Sequence, residues 1–325
     1  MHRNNNNNKG VVLISVLLIV LLLSSIAVMI GNNFLISLKR ASYLEFQTNS
    51  LNIFRNVESI ALKKIDIELR FNPNNLNKMN PLLTNDLIFE SDKGMIIGKI
   101  TDSSSCFNIN TLVKKSNSNY IENTNATAAF RKIMNLYEVD NNTIEEIIDQ
   151  IIDWIDLDSN PRTYGLEDYF YSGPLNNPKE YSGMRLFFSI NELKGIPAIR
   201  KVDWMIFEDN FCASYNNSNI TFNINTLDLS DSFLLSSIFP NIANADAEFI
   251  IDSLPQEGIQ SMAMLEELFP GIDFASPNGD ISFSSKSYKL QTIINYEDFS
   301  SESISEIYYG ANKNSYIVSR IYNGI

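Results

Sequence analysis

The run Asp156-Leu157-Asp158-Ser159-Asn160-Pro161-Arg162 sets oxygen-bearing side chains at alternate positions, and Glu167 and Asp168 follow within one short loop. Counting Asp156 as one puts Asp158 at three, Asn160 at five and Glu167 at twelve, the ligand spacing of an EF-hand calcium loop. Pro161 stands at position six, where such a loop needs glycine for its sharp turn. The match is therefore one of ligand spacing and not of backbone. Carboxylates that converge repel one another unless a cation intervenes, and calcium suits an all-oxygen set best. Two readings stand: calcium held by Asp156, Asp158, Asn160, Glu167 and Asp168, or a solvated acidic loop. In the second, Asp156 or Asp158 caps a helix end and Arg162 pairs with a carboxylate.

Other chemistry is scarce. The single histidine is His2, so a mature chain without its first residues carries none. That excludes Ser-His-Asp and Cys-His catalysis and histidine-bound metals. The two cysteines, Cys106 and Cys212, offer one disulfide in an oxidising compartment, or two buried free thiols. The net charge of −13 repels phosphate backbones, so nucleic acid is not expected as a partner.

The elements that must position the acidic loop are helical. Ile144, Ile147, Ile148, Ile151, Ile152 and Ile155 recur at helical spacing directly before it, behind a Thr143…Glu146 capping box. Further apolar runs of the same period include Phe130 to Tyr137, Leu234 to Phe239, Ala247 to Ile251 and Met262 to Phe269, and Ser189…Glu192 forms a second capping box. Strands are expected at Gly94–Thr101, Ile281–Tyr296, Ile304–Tyr309 and Tyr316–Tyr322, whereas 72–92 reads as polar and turn-rich. One hexapeptide, Phe107-Asn108-Ile109-Asn110-Thr111-Leu112, recurs unchanged as Phe222-Asn223-Ile224-Asn225-Thr226-Leu227. Each copy enters a helical stretch, which suggests a short extended segment feeding a helix.

The amino-terminal part is apolar and uncharged from Gly10 to Leu38. At about 1.5 Å per residue, a helix of this length crosses a bilayer of about 30 Å. Arg3 and Lys9 precede it, which favours a cytoplasmic amino end. The run outlasts the apolar core of a secretory signal and continues past Lys39-Arg40 with Leu44, Phe46, Leu51, Phe54 and Val57 at helical spacing. A basic leader, Gly10 and then Val11 opening the apolar helix resembles the type IV pilin signal. The resemblance implies cleavage after Gly10 by a prepilin peptidase and methylation of Val11. Pilins usually carry a glutamate at the fifth mature position, which pairs with a neighbour's terminal amine; here that position is Ser15. An unpaired carboxylate at membrane depth is costly, so serine suits a subunit with no neighbour above it.

The stretch Asp153 to Arg162 followed by Gly165 to Tyr171, Ser189-Ile190-Asn191-Glu192-Leu193 with Gly195-Ile196, and the paired Phe-Asn-Ile-Asn-Thr segments together resemble the type II secretion minor pseudopilin K family. The resemblance implies an α+β fold: a pilin-like long N-terminal helix packed on a small antiparallel sheet, with a large helical domain inserted between strands. It places a leader at 1–10, the transmembrane and amphipathic helix at 11–71, the head at 72–112 and 276–325, and the insert at 113–275. It further implies a non-enzymatic inner-membrane subunit with a periplasmic body, at the tip of the pseudopilus with minor pseudopilins I and J. Calcium is implied in the insert at Asp156, Asp158, Glu167 and Asp168, with Asn160 beside them. The rivals are a minor pilin of a type IV pilus or competence system, a plain membrane-anchored calcium-binding protein, and a membrane-anchored hydrolase using Glu167 and Asp168.

Overall fold

The computed structural model describes residues 8–72, 76–92, 94–175, 179–214 and 219–324. In chain order the elements are α1 (Asn8–Phe71), α2 (Pro81–Thr84), β1 (Leu87–Ser91), β2 (Gly94–Asp102), β3 (Phe107–Asn108), β4 (Val113–Ser116), β5 (Asn119–Glu122), α3 (Thr124–Leu136), α4 (Asn141–Ile155) and α5 (Asp168–Tyr171). After these come α6 (Trp204–Asn210), β6 (Phe211–Cys212), β7 (Thr221–Asn223), α7 (Ser232–Ile238), α8 (Asn244–Asp252), α9 (Met262–Leu268), β8 (Asp280–Ser282), β9 (Ser287–Tyr296), β10 (Phe299–Tyr309) and β11 (Ser315–Asn323).

The first helix runs 64 residues without a proline, about 96 Å at the usual rise. Pro73 comes soon after it in the sequence and disfavours further helix. Val12 to Leu38 is uncovered on all sides, and among the described residues this is the one helix long and apolar enough to cross a membrane. Its second half buries a stripe of Phe46, Ser50, Phe54, Val57, Ala61, Ile65 and Leu69, spaced by three or four residues so that they share one face, with Glu58 buried beside Val57. Burying a side chain the size of Phe54 contributes about 1.5–3 kcal/mol. That face lies on an antiparallel sheet of order β1-β2-β9-β10-β11. Its inward residues alternate along the strands, with Tyr288, Leu290, Thr292 and Ile294 on β9. An ion pair between the exposed Arg320 and the buried Glu58 fastens helix to sheet. Arg320 donates from Nε (2.8 Å) and Nη2 (3.0 Å) to the two oxygens of Glu58, and Ser305 Oγ donates to the same carboxylate at 2.6 Å.

Between the paired strands β2 and β9 the chain leaves to build a second core, centred on α3, α4 and α7. The expected boundary at 112/113 moves. Phe107, Ile109 and Leu112 are buried in the core of the insert, so the crossing comes just after Asp102, the last residue of β2. Its return shifts as well. The long strand expected over Ile281–Tyr296 is two strands, because β8 pairs in parallel with β7 of the insert before β9 joins the sheet. The turn-rich 72–92 segment also holds more than expected: α2, capped by Asn80, and the edge strand β1. Helix α4 begins earlier than its capping box suggested. Asp140 is its N-cap, accepting from Thr143 N at 3.0 Å, and Thr143 lies inside the helix.

Candidate metal centre

Helix α4 fixes the first ligand. Its inward isoleucines hold it in the core, and its acidic residues Asp149, Asp153 and Asp156 recur on one side towards its C-terminal end. Asp156 caps the helix, and its backbone N–H closes the last turn on Ile152 O at 2.9 Å. The chain then loops through Asp158 and returns with Glu167, the N-cap of α5.

Three carboxylates converge there. Ligand oxygens of Asp156, Asp158 and Glu167 all lie within 4.8 Å of one another. Two oxygens that touch one ion at about 2.4 Å are at most about 4.8 Å apart, so a single calcium-sized ion can meet all three. Asp156 and Glu167 are buried, while Asp158 is exposed and leaves the centre an open side. Asp156 Oδ1 and Glu167 Oε1 are buried without a hydrogen-bond donor. Such orphaned oxygens are costly in an apo protein and are what a hard cation satisfies. Burial pushes the Asp156 carboxyl up to about 7, with the charges of Asp158 and Asp153 adding to it. Burial also pushes Glu167 up to about 7, reinforced by Asp153, Asp156, Asp158 and Asp168. The donor set, all oxygen and anionic, fits a hard divalent ion.

The loop is held by groups that are not ligands. Arg162 donates its backbone N–H to Asp153 Oδ2 (3.0 Å), Nε to Asp149 Oδ1 (2.7 Å) and Nη2 to Glu122 Oε2 (2.5 Å). The carboxylate pairing expected for Arg162 therefore coexists with the acidic centre and does not replace it. Asp153 beneath it is fully buried and pushed up to about 6 by that burial, with the Arg162 N–H acting against the shift. Gly165 lies so close to this carboxylate that a Cβ there would overlap it. Asn119, at the start of β5, accepts from Leu157 N at 3.0 Å, and its Nδ2 approaches Asp158 Oδ2 at 3.4 Å. No spacing rule points to Asn119, which lies 38 residues from Leu157 and meets the loop only through the β4–β5 hairpin.

One expected ligand, Asp168, is not in this group. Asn160 gives its backbone N–H to Asp158 Oδ1 at 2.9 Å. It tightens the loop where glycine is absent. Asp168 turns the other way: its Oδ1 accepts from both the backbone N–H and the hydroxyl of Ser182, each at 2.7 Å. Cys106 and Cys212 form a disulfide, joining the entry of β3 to its parallel partner β6. Gly10 and Val11 lie near the start of α1, and the residues before Asn8, His2 and Arg3 among them, fall outside the described residues.

The family model for type II secretion system protein K matches residues 105–208, the segment that contains this centre and its scaffold. The type II secretion system protein K of Aeromonas hydrophila is 24% identical over 267 residues, 77% of this chain and 80% of its own length. That of Pectobacterium carotovorum is 26% identical, covering 73% of each chain. Over this segment and beyond it, the chain is similar to type II secretion system protein K. These relatives are components of a type II secretion system. A putative protein K of Escherichia coli K12 is 28% identical, and the alignment spans half of that relative's length. The fold recurs in the crystal structure of the GspK-GspI-GspJ complex from the enterotoxigenic E. coli type 2 secretion system. There the TM-score is 0.73 at 19% identity, covering 88% of this chain and 99% of the other.

Proposed function

We propose that this chain is the tip subunit of a pseudopilus, a non-enzymatic piece that starts assembly with minor pseudopilins I and J and serves export of folded proteins across the outer membrane. The insert between β2 and β9 carries the reading. A second core of this size beside a pilin head does not pack within a thin helical shaft, whereas the end of a filament leaves room. Ser15 supports it: its hydroxyl donates to Val12 O at 2.9 Å, so the helix has no polar group there waiting for a subunit above. The crystallised relative, a complex of GspK with GspI and GspJ, supports the choice of partners.

In this reading α1 spans the inner membrane once, with Arg3 and Lys9 keeping its start cytoplasmic and the body in the periplasm. The Cys106–Cys212 disulfide suits that compartment. The prepilin peptidase removes residues 1–10 and methylates Val11, and Asp156, Asp158 and Glu167 hold calcium. The full chain, co-expressed with pseudopilins I and J and the major pseudopilin, is expected to extract and purify with I and J. Recovery with the major pseudopilin alone would place it in a shaft instead. Gly10→Ala is expected to leave the leader in place, read by intact mass; normal processing of that variant would sink the pilin-type signal.

A further inference from the structure

Glu167 and Asp168 are neighbours with opposite loyalties. One turns a buried oxygen into the carboxylate centre, and the other accepts two hydrogen bonds from Ser182. Ser182 belongs to a strap, residues 179–188, that folds back over Trp154. The strap's backbone ties in its first half go to two places. Glu180 N donates to Tyr171 O (3.2 Å) at the end of α5, and Met184 N donates to Trp154 O (3.0 Å). Between them Gly183 lies flat on the indole, where a Cβ would overlap the ring. Each of these anchor points is within four residues of a carboxylate of the centre: Trp154 sits two before Asp156, and Asp168 and Tyr171 come just after Glu167.

The second half of the strap is fixed differently. Phe187 stacks on Trp154 with ring centroids 4.0 Å apart, and Asn110 grips the Phe187 backbone from both sides. Asn110 Oδ1 accepts from Phe187 N and its Nδ2 donates to Phe187 O, both at 2.9 Å. Arg185 lies over both Trp154 and Phe188 and pairs with Glu192 at 3.0 Å. Only the first half, 179–184, hangs on the loop that carries the carboxylates.

We infer that Asp168 is a positioning residue that makes docking of this strap depend on a cation held by Asp156, Asp158 and Glu167. The inference rests on the calcium reading above and deepens it. With the ion in place, Glu167 stays in its buried position and Asp168 stays in register for Ser182. Without it, three crowded carboxylates, two with orphaned oxygens, expel Glu167 towards water. Asp168 moves with its neighbour, Ser182 loses its acceptor, Gly183 lifts from the indole, and Trp154 becomes wet. The cation thereby decides whether the strap holds the exposed Tyr181 in a fixed place beside the independently anchored Phe188.

The chain has two tryptophans, so Trp204→Phe leaves Trp154 as the sole reporter in the detergent-solubilised full chain. Calorimetric titration with calcium is run first. Absence of any binding overturns the calcium reading and the coupling with it. Given binding, chelation is expected to red-shift Trp154 emission and to speed tryptic cleavage after the exposed Lys179 by roughly tenfold or more, the change expected for two lost hydrogen bonds to a charged group. Binding without either response overturns the coupling and leaves the site standing. Asp168→Ala is expected to bind calcium within about threefold of the parent yet stay red-shifted and protease-sensitive when loaded, since ordinary surface changes cost little. Asp168→Asn, which keeps an acceptor for Ser182, is expected to restore the response. Loss of calcium binding in Asp168→Ala would make Asp168 a ligand and overturn its positioning role. Should that variant not fold, Ser182→Ala decides: cleavage intermediate between loaded and chelated parent supports the coupling, and cleavage at the loaded parent's rate overturns it.

Discussion

The two copies of Phe-Asn-Ile-Asn-Thr-Leu, at 107–112 and 222–227, fold alike and are used differently. In each, the Phe-Asn pair joins a short parallel ladder, β3 with β6 and β7 with β8. In each, the first asparagine caps a 3-10 turn by accepting from the N–H two residues on, Asn108 from Asn110 and Asn223 from Asn225. The second asparagine then grips a distant backbone by its N–H and C=O together, Asn110 at Phe187 and Asn225 at Ile259. The surroundings differ. The first copy is stapled by Cys106–Cys212 and feeds the acidic centre; the second joins the sheet through Thr226, which donates to Asp102 at 2.6 Å. An identical six-residue string thus sets one local structure twice. The surroundings of each copy decide whether it supports the carboxylate cluster or bolts two cores together.

The sharpest way to break the comparison is to remove the staple. Cys106→Ala with Cys212→Ala opens a loop of 106 residues, and chain entropy puts the loss near 3–5 kcal/mol. Denaturant unfolding checks it, and the transition assigned to the insert is expected to move while the head is spared. Next come the two clamps. Asn110→Ala and Asn225→Ala each strand buried backbone partners and are expected to cost roughly 2–4 kcal/mol. Equal losses would mark the copies as equivalent, and a large imbalance would show that the surroundings outweigh the motif.

A smaller effect separates the acidic centre from the copy that lacks one. Glu167→Ala is expected to weaken calcium binding and to lower thermal stability by about 1–3 kcal/mol only when calcium is present. Equal loss with and without calcium would point to packing. The pH dependence has a defined sign. Asp156 and Glu167 sit near 7 when folded against ordinary values of 3.8 and 4.5, so between those limits the folded state holds protons that the unfolded chain has released. Calcium-free stability should therefore fall as pH rises from about 4 to about 7 and level off above. Glu167→Gln should flatten that slope, measured as the difference in melting temperature between variant and parent. Saturating calcium, which binds the deprotonated set, should reverse it.

Much of the fold and the centre is legible in the sequence where a pattern is local. The apolar run of α1, the alternation on β9 and β11, and the one-three-twelve spacing of Asp156, Asp158 and Glu167 all come from neighbours in the chain. The features hidden from reading depend on distant contacts. Leu87-Ile88-Phe89 is too short and too flanked by polar residues to announce an edge strand, yet pairing with β2 makes it one. Ile281 carries strand chemistry, but β7 claims it before the sheet does. Asp168 looks like a ligand by position and is drawn away by Ser182, whose approach depends on how the strap folds. Asn119 carries no signal in the sequence at all.

The place where the insert leaves and rejoins the sheet is a single cross-strand pair, Asp102 opposite Tyr288. In terms of modular exchange, the head's strands β2 and β9 pair on both sides of one seam, and the insert enters and leaves the sheet between those two residues. The knot at the splice is what resists replacement. Asp102 accepts from Ser104, from Ser285 and from Thr226, all three of them between the two residues of the seam. A foreign module grafted at this seam must bring its own hydroxyl to the buried Asp102 carboxylate, or the host residue must be neutralised to receive it.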